Sequence, residues 1–127
     1  MKYAVLFIAL LFAGCGGGYE TFTVAGETMQ VAKEDFPLEM SYVNAMKACE
    51  ELGNGWRLPN EGELKAMYEQ LHKRGKGNFK NAWYWSSSQY YSGYAWGVNF
   101  NDGNVDYVYF KINSYGQVRA VRTLPSP

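Results

Sequence analysis

The chain has 127 residues, with 12 Lys and Arg balanced by 12 Asp and Glu, and no composition shift marks a second globular unit. One small domain with a modest core is expected. The charge balance excludes an electrostatic nucleic-acid footprint, and Lys73, Arg74 and Lys76 read as a solvated helix end, where the dipole favours cations.

The chain opens with MKYAVLFIALLFAG: one Lys, then an apolar run from Tyr3 to Ala13. That run has the length of an export-signal core and is too short for a membrane-spanning helix. Leu11-Phe12-Ala13-Gly14 before Cys15 resembles the lipobox of bacterial lipoproteins, with Phe12 in place of the usual Leu. The resemblance implies a signal peptide over 1–14, lipid on Cys15, and a glycine-rich tether over 15–19 ahead of a domain over 20–127. Several acyl chains anchor a protein stably where one does not. Gly16 after Cys15 differs from an inner-membrane retention signal, which favours a lipid-anchored, surface-exposed protein of the outer membrane. Lipidation removes Cys15 from disulfide pairing and leaves Cys49 alone, although export implies an oxidising compartment.

ETFTV (Glu20 to Val24) and TMQVA (Thr28 to Ala32) alternate polar and apolar residues around Gly26, which predicts two short strands and a tight turn. Ser41 is positioned to cap a helix whose apolar stripe is Tyr42, Ala45, Met46, Cys49 and Leu52, with Gly53 ending it in the left-handed conformation. Cys49 on that stripe reads as packing. Asn60 with Glu63 three residues on is a capping-box signal for a second helix carrying Leu64, Met67, Tyr68 and Leu71, stopping near Gly75. His72, the one histidine, has no Cys, Asp or Glu at ligand spacing, so neither a metal nor a catalytic role is expected of it. From Trp83 onward WYWSSS, AWGVNF, VDYVYF and QVRAVR all have strand character, separated by turn residues. The expected architecture is α+β, two helices followed by an antiparallel meander.

From Gln89 to Gly116 the chain uses no Leu, Met, Glu, Thr, Pro or Arg and is crowded with Tyr, Asn, Gly, Ser and Asp. Tyrosine supplies large contact area with few torsions to freeze, and the small polar residues adapt to whatever they meet; antibody paratopes use the same mixture. Alternation in VDYVYF puts Val105, Tyr107 and Tyr109 on one face and Asp106, Val108 and Phe110 on the other, leaving open which is outside.

GNGWRLPNEGEL (Gly53 to Leu64), YWSSS (Tyr84 to Ser88), AWGVNFNDG (Ala95 to Gly103) and VRAVR (Val118 to Arg122), in that order, resemble the Lcl C-terminal-like and Fibrobacter-type major paralogous domains of bacteria. The resemblance spans about residues 20 to 122 and implies a C-type lectin-like fold. Trp56, Trp83, Trp85 and Trp96 are the large apolar bodies available to its core, and Arg119 and Arg122 are expected to bond loop carbonyls or carboxylates. WSSS, a variable stretch, AWGVNF with GNV, another variable stretch and QVRAVR also look like the variable proteins of diversity-generating retroelements. That likeness implies a variable region of about 86–122, rewritten through errors at adenines. Randomising the first two bases of AAC or AAT gives Tyr, Asn, Ser, Gly, Asp, Val, Ile and Phe, but not Glu, Met, Gln, Lys or Trp. Tyr90, Tyr91, Gly93, Tyr94, Gly97, Asp102, Asp106, Tyr107, Val108, Tyr109, Ile112, Ser114, Tyr115 and Gly116 are all within that set.

The expected activity is non-enzymatic binding of a protein or cell-surface ligand through Tyr90, Tyr91, Gly93, Tyr94, Gly97, Asp102, Asp106, Tyr107, Tyr109, Ile112, Ser114 and Tyr115, with no cofactor or metal. The alternative is a non-diversified glycan- or protein-binding adhesin or structural domain of the same fold. A calcium-dependent lectin would need a Glu-Pro-Asn or Gln-Pro-Asp motif and a Trp-Asn-Asp run, both missing from the sequence. The paired cysteines of the related formylglycine-generating enzymes are not matched by the solitary Cys49.

Overall fold

The computed structural model describes residues 18–111 and 113–124; the segment expected to be an export signal, Cys15 and Ile112 lie outside the described residues. The chain runs β1 (Thr21–Val24), β2 (Glu27–Val31), α1 (Tyr42–Glu51), α2 (Glu61–Gln70), a 3-10 turn (His72–Arg74), β3 (Trp83–Tyr91), β4 (Tyr94–Asn99), β5 (Val105–Tyr109) and β6 (Val121–Thr123). Both helices begin as their caps require. Ser41 Oγ accepts the Asn44 N–H at 3.3 Å, and at Asn60 and Glu63 each side chain accepts the other's main-chain N–H at 2.8 Å. Gly53 ends α1 at φ 73° and Gly75 ends the 3-10 turn at φ 75°, a conformation that costs glycine nothing.

The strands form two antiparallel sheets, ordered β1-β2-β6 and β3-β4-β5. The expected antiparallel meander is present as β3-β4-β5, and its last expected segment departs from it. QVRAVR does not continue the second sheet: only Val121–Thr123 is a strand, paired with β2, while Gln117 makes a single parallel bridge to Tyr84. The cause lies in the segment between. Ala32 N–H and Phe36 N–H donate to the carbonyls of Ala120 and Val118, and Arg119 is buried beside them. Its guanidinium donates to Asp35 Oδ1 at 2.8 Å and to the carbonyls of Ala32, Gly77 and Asn78. Asp35 in turn accepts the Tyr84 hydroxyl at 2.7 Å. This buried network ties the terminal segment, two loops and β3 together, and it draws the chain away from β5.

The β3-β4-β5 sheet is covered diagonally. Tyr84, Val98 and Val105 are in register and pack with Leu64 and Met67 of α2. On the opposite face Trp85, Ala95, Val108 and Phe110 pack with Tyr42, Ala45 and Cys49 of α1. Each helix thus shields one end of one face, because side chains alternate along a strand. The continuation of the α2 face, through Trp96 and Tyr94 on β4 and Tyr107 and Tyr109 on β5, runs out from beneath the helix. Of the tryptophans taken as core bodies, Trp85 is fully buried and Trp56, Trp83 and Trp96 are half-buried. Trp56 packs against the α1-side core and also lies against the Arg122 guanidinium, 4.3 Å from its ring centre.

Candidate binding face

The uncovered end of the sheet carries Tyr90, Tyr91, Tyr94, Trp96, Tyr107 and Tyr109 as one connected set of rings. Tyr90 stacks on Tyr107 with centroids 4.4 Å apart and planes 20° apart, and Trp96 meets both edge-on at 5.3 and 5.0 Å. Tyr94 bridges Tyr107 and Tyr109 at 5.8 and 5.1 Å and touches Tyr91 at 5.9 Å. Edge-to-face and offset contacts of this kind fix ring orientation and each contributes about 0.5–1.5 kcal/mol. The set remains open to solvent: Tyr90, Tyr91, Tyr107 and Tyr109 are 53, 65, 39 and 39% exposed. The structure therefore turns the Tyr107 and Tyr109 face of β5 outward and the Val108 and Phe110 face toward α1. Trp96 is a member that sequence reasoning assigned to the core; strand alternation from Tyr94 was the signal that could have found it.

The backbone beneath the rings is constrained by glycine. Gly93 turns β3 into β4 at φ 86°, and a Cβ there would stand 2.8 Å from the Tyr109 ring. At Gly97 a Cβ would run into the Trp83 ring and stand 2.5 Å from the Tyr84 carbonyl oxygen. Both glycines are buried and bring no side chain to the face. Between Trp85 and Gln89 the register shifts, and the bulged WSSS segment is held from the LPNE side: Ser87 N–H donates to the Pro59 carbonyl at 2.7 Å, and Glu61 N–H to Ser88 Oγ at 2.9 Å. A second, one-residue register shift between Gln89 and Tyr91 brings both Tyr90 and Tyr91 against the β4 and β5 rings, a common use of bulges.

Other residues expected at the site sit elsewhere. Asp102 is in the β4–β5 turn, at the opposite end of β4 from Tyr94, where its carboxylate accepts the Asn104 N–H at 2.9 Å and the Asn104 amide at 3.2 Å. Asp106 pairs with Gly97 on the α1 face, exposed, and accepts the Tyr107 N–H at 2.8 Å. Ser114 donates to the Tyr109 carbonyl at 2.9 Å and closes the loop after β5. Tyr115 is 57% exposed but lines a separate groove of about 480 Å³ with Leu38, Met40 and Lys47.

The remaining reactive groups are locked in place. Burial, and then the charge of Glu50, push the Cys49 thiol up to about 12, so it stays protonated at neutral pH. His72 Nε2 lies 2.7 Å from Asn81 Oδ1, its ring among Tyr68, Phe79 and Phe100. Burial raises the Glu63 carboxyl, but the Arg57 guanidinium and the Asn60 N–H outweigh it and hold Glu63 below its ordinary range; Arg57 grips it through both oxygens at 2.8 and 2.9 Å. Among the described residues no three His, Cys, Asp or Glu are grouped as a metal site requires.

Residues 21–122 match the model of the Lcl C-terminal domain family, and the chain belongs to that family. No curated protein matches it. Among solved structures it is similar to the Yersinia pseudotuberculosis adhesin InvE, at 19% identity with a TM-score of 0.56, covering 86% of this chain and 35% of that one. The likeness shows the fold: α+β, C-type lectin-like. The chain spans about a third of the length of that adhesin chain.

Proposed function

We propose that this member of the Lcl C-terminal domain family is a non-enzymatic binding protein whose ligand-gripping surface is the tyrosine face of the β3-β4-β5 sheet. The observation that carries the reading is the combination of exposure with fixed geometry: four solvent-facing phenols interlocked with Tyr94 and Trp96. Rigid aromatic groups lose little entropy on association and bury large area, which is why tyrosine and tryptophan dominate binding hot spots. The ligand is a macromolecule, a protein or another cell-surface structure; the structural likeness to a chain described as an adhesin favours the same class. The chain is exported through residues 1–14, lipidated at Cys15, tethered by 15–19, and displayed at the outer membrane as a domain over 20–127.

We further propose that a retroelement diversifies this face. Tyr90, Tyr91, Tyr94, Tyr107 and Tyr109 project from this face and change without disturbing the scaffold. Gly93 and Gly97 have no room for a side chain, and Asp102, Asp106 and Ser114 are engaged with the main chain, so variation concentrates on the outward tyrosines. Ile112 remains a candidate, and Tyr115 would vary as a separate contact at the α1 groove.

The binding claim is tested by offering the chain a displayed random-peptide library and a glycan array, then repeating with Tyr90→Ala/Tyr107→Ala. Binding that falls at least tenfold with the fold retained supports the face; binding indifferent to both substitutions overturns it. Gene copies from sibling strains test diversification: differences scattered outside the outward codons would sink it. Loss of a metabolically incorporated lipid label in Cys15→Ser tests the anchor.

A further inference from the structure

We infer that the outer face of the β1-β2-β6 sheet, at Tyr19, Lys33, Trp56 and Arg122, is a membrane-seating surface that rests on the anionic phospholipid headgroups of the leaflet holding the Cys15 lipid. The inference rests on the reading of Cys15 as the lipidated residue and adds how the domain stands on its membrane.

Strand register builds this surface. Phe22, Met29, Val31 and Val121 turn inward and pack with Leu64 and Met67. Alternation therefore turns Thr21, Gln30 and Arg122, which are in register across the three strands, to the outside. The pairing continues ahead of β1, where Val31 N–H donates to the Glu20 carbonyl at 3.0 Å, and this carries Tyr19 onto the same outer face. Arg57 bridges to Val121 and sets Trp56 beside Arg122. Rings and cations then form one cluster. Tyr19 meets Trp56 edge-on at 5.4 Å, the Arg122 guanidinium lies 4.3 Å from the Trp56 ring centre and 5.4 Å from that of Tyr19, and Lys33 Nζ lies 5.4 Å from the Tyr19 ring centre. All four residues are half-buried, so part of each reaches solvent.

Arg122 is held by neutral groups: Nε donates to Gln30 Oε1 at 2.8 Å and Nη1 to the Asn54 carbonyl at 3.2 Å. Arg57 and Arg119 pair with carboxylates, whereas Arg122 has no carboxylate partner among the described residues. A guanidinium fixed in this way keeps its charge for an outside anion, and its planar donors suit a phosphate. Beside the cluster lies a hollow of about 220 Å³ lined by Gly18, Lys33, Gly77, Asn78 and Arg119 together with Glu20. Lys76 and Lys80, which flank Gly77 and Asn78 in the chain, are exposed. At this end Lys33, Lys76, Lys80 and Arg122 outnumber Glu20 and Glu34, and the balance suits an anionic surface.

The length of the tether selects the occupant. Gly18, at the rim of the hollow, follows Cys15 by three residues, a reach of at most about 11 Å. A domain of about 100 residues has a radius of gyration of about 13 Å. A lipid on Cys15 therefore holds the domain against the headgroups, and the surface around Gly18 is the one that meets them. Tyrosine and tryptophan, apolar in body and polar at the tip, settle at headgroup depth, and each cation near an anionic membrane contributes about 1 kcal/mol. The tyrosine face stays clear of this contact. Arg119 at the hollow reaches the Tyr84 hydroxyl through Asp35, and Tyr90 lies farther along β3, up to about 20 Å from Tyr84 at strand spacing.

The test places the purified, lipid-bearing full chain in vesicles of phosphatidylethanolamine and phosphatidylglycerol, and reads the quenching of tryptophan fluorescence by phospholipid brominated at the headgroup end of its acyl chains. Quenching is expected to fall at least threefold in Trp56→Phe, with the fold checked by circular dichroism, and to be unchanged in Trp96→Phe, whose ring belongs to the tyrosine face. In the unsubstituted chain, exchanging phosphatidylglycerol for neutral phosphatidylcholine should lower the quenching at least twofold. A vesicle-bound chain that is not quenched, or is quenched equally in Trp56→Phe, overturns the seating and leaves the Cys15 lipid standing. Quenching that resides in Trp56 but ignores lipid charge overturns the assignment to anionic headgroups. A chain that takes up no lipid label and stays in solution overturns both the seating and the anchor.

Discussion

Tyrosines at the two ends of the β3-β4-β5 sheet behave oppositely. Tyr42 and Tyr84 at the covered ends are buried, and each hydroxyl has an assigned partner: Tyr42 donates to the Ser87 carbonyl at 2.9 Å, while Tyr84 donates to Asp35 and accepts the Lys80 N–H at 2.8 Å. Burial pushes the Tyr84 phenol well above its ordinary range, with Asp35 adding to the effect. At the open end Tyr90, Tyr91, Tyr94, Tyr107 and Tyr109 touch mainly one another, and none of their hydroxyls has a hydrogen-bond partner among the described residues. One residue type thus serves two ends. Where its hydroxyl is committed it specifies the fold, and where it is uncommitted it is available to something outside the molecule.

The strongest way to break that contrast is at the committed end. Arg119→Ala strands Asp35 in the interior and frees three loop carbonyls, so it should cost about 3–5 kcal/mol, read as a lower midpoint in urea; a shift under 1 kcal/mol would mean that the network does not organise the terminal segment. Gly97→Ala should cost about 1–3 kcal/mol through overpacking against Trp83 and the Tyr84 carbonyl. If Gly97→Ala is neutral by the same measurement, the sheet is looser than its contacts imply and that position joins the freely variable set.

Much of the committed end was legible in the sequence because its signals are local. The Asn60 and Glu63 spacing, the Ser41 cap and the Gly53 stop each act within one helical turn, and the apolar stripe of α1 through Cys49 follows from helical period alone. The resemblance carried by the LPNE and WSSS motifs supplied the fold, and the two segments touch through Ser87 and Pro59. The departure of Val118 to Arg122 from the meander was not legible, because it depends on Arg119 meeting Asp35, 84 positions away in the chain. At the open end the alphabet disclosed the rings but not their grouping. Asp102, Ser114 and Tyr115 share that alphabet and yet lie outside the ring set, because strand register and the β3 bulge, rather than composition, decide which residues meet.

Acid titration sharpens the comparison at the α2 cap. Glu63 is held below its unfolded value, so its stabilisation is present above about pH 4.3, the ordinary carboxylate value, and is lost as pH falls through the lowered folded value. The expected loss is about 1 kcal/mol, the scale of a helix cap, seen as a falling melting temperature between neutral and acidic pH. Glu63→Gln keeps an acceptor for the Asn60 N–H but not the charge facing Arg57, and should flatten that dependence. A dependence unchanged in Glu63→Gln would assign it to other carboxylates.

The smallest stability effects carry the most functional information, and one oxygen atom at each end of the sheet provides them. Tyr84→Phe leaves a buried Asp35 oxygen and the Lys80 N–H unpaired, which costs about 1–3 kcal/mol. Tyr107→Phe removes an oxygen with no partner among the described residues, keeps the ring stacked on Tyr90 and edge-on to Trp96, and should change stability by less than about 0.5 kcal/mol. If Tyr107→Phe were instead as destabilising as Tyr84→Phe, its hydroxyl would already be committed within the chain, and the division between the two ends would fail. With stability unchanged, any loss of affinity for a selected peptide in Tyr107→Phe reports a hydrogen bond made to the ligand. Retained affinity assigns that ring to apolar contact, which separates what the hydroxyl contributes from what the ring contributes.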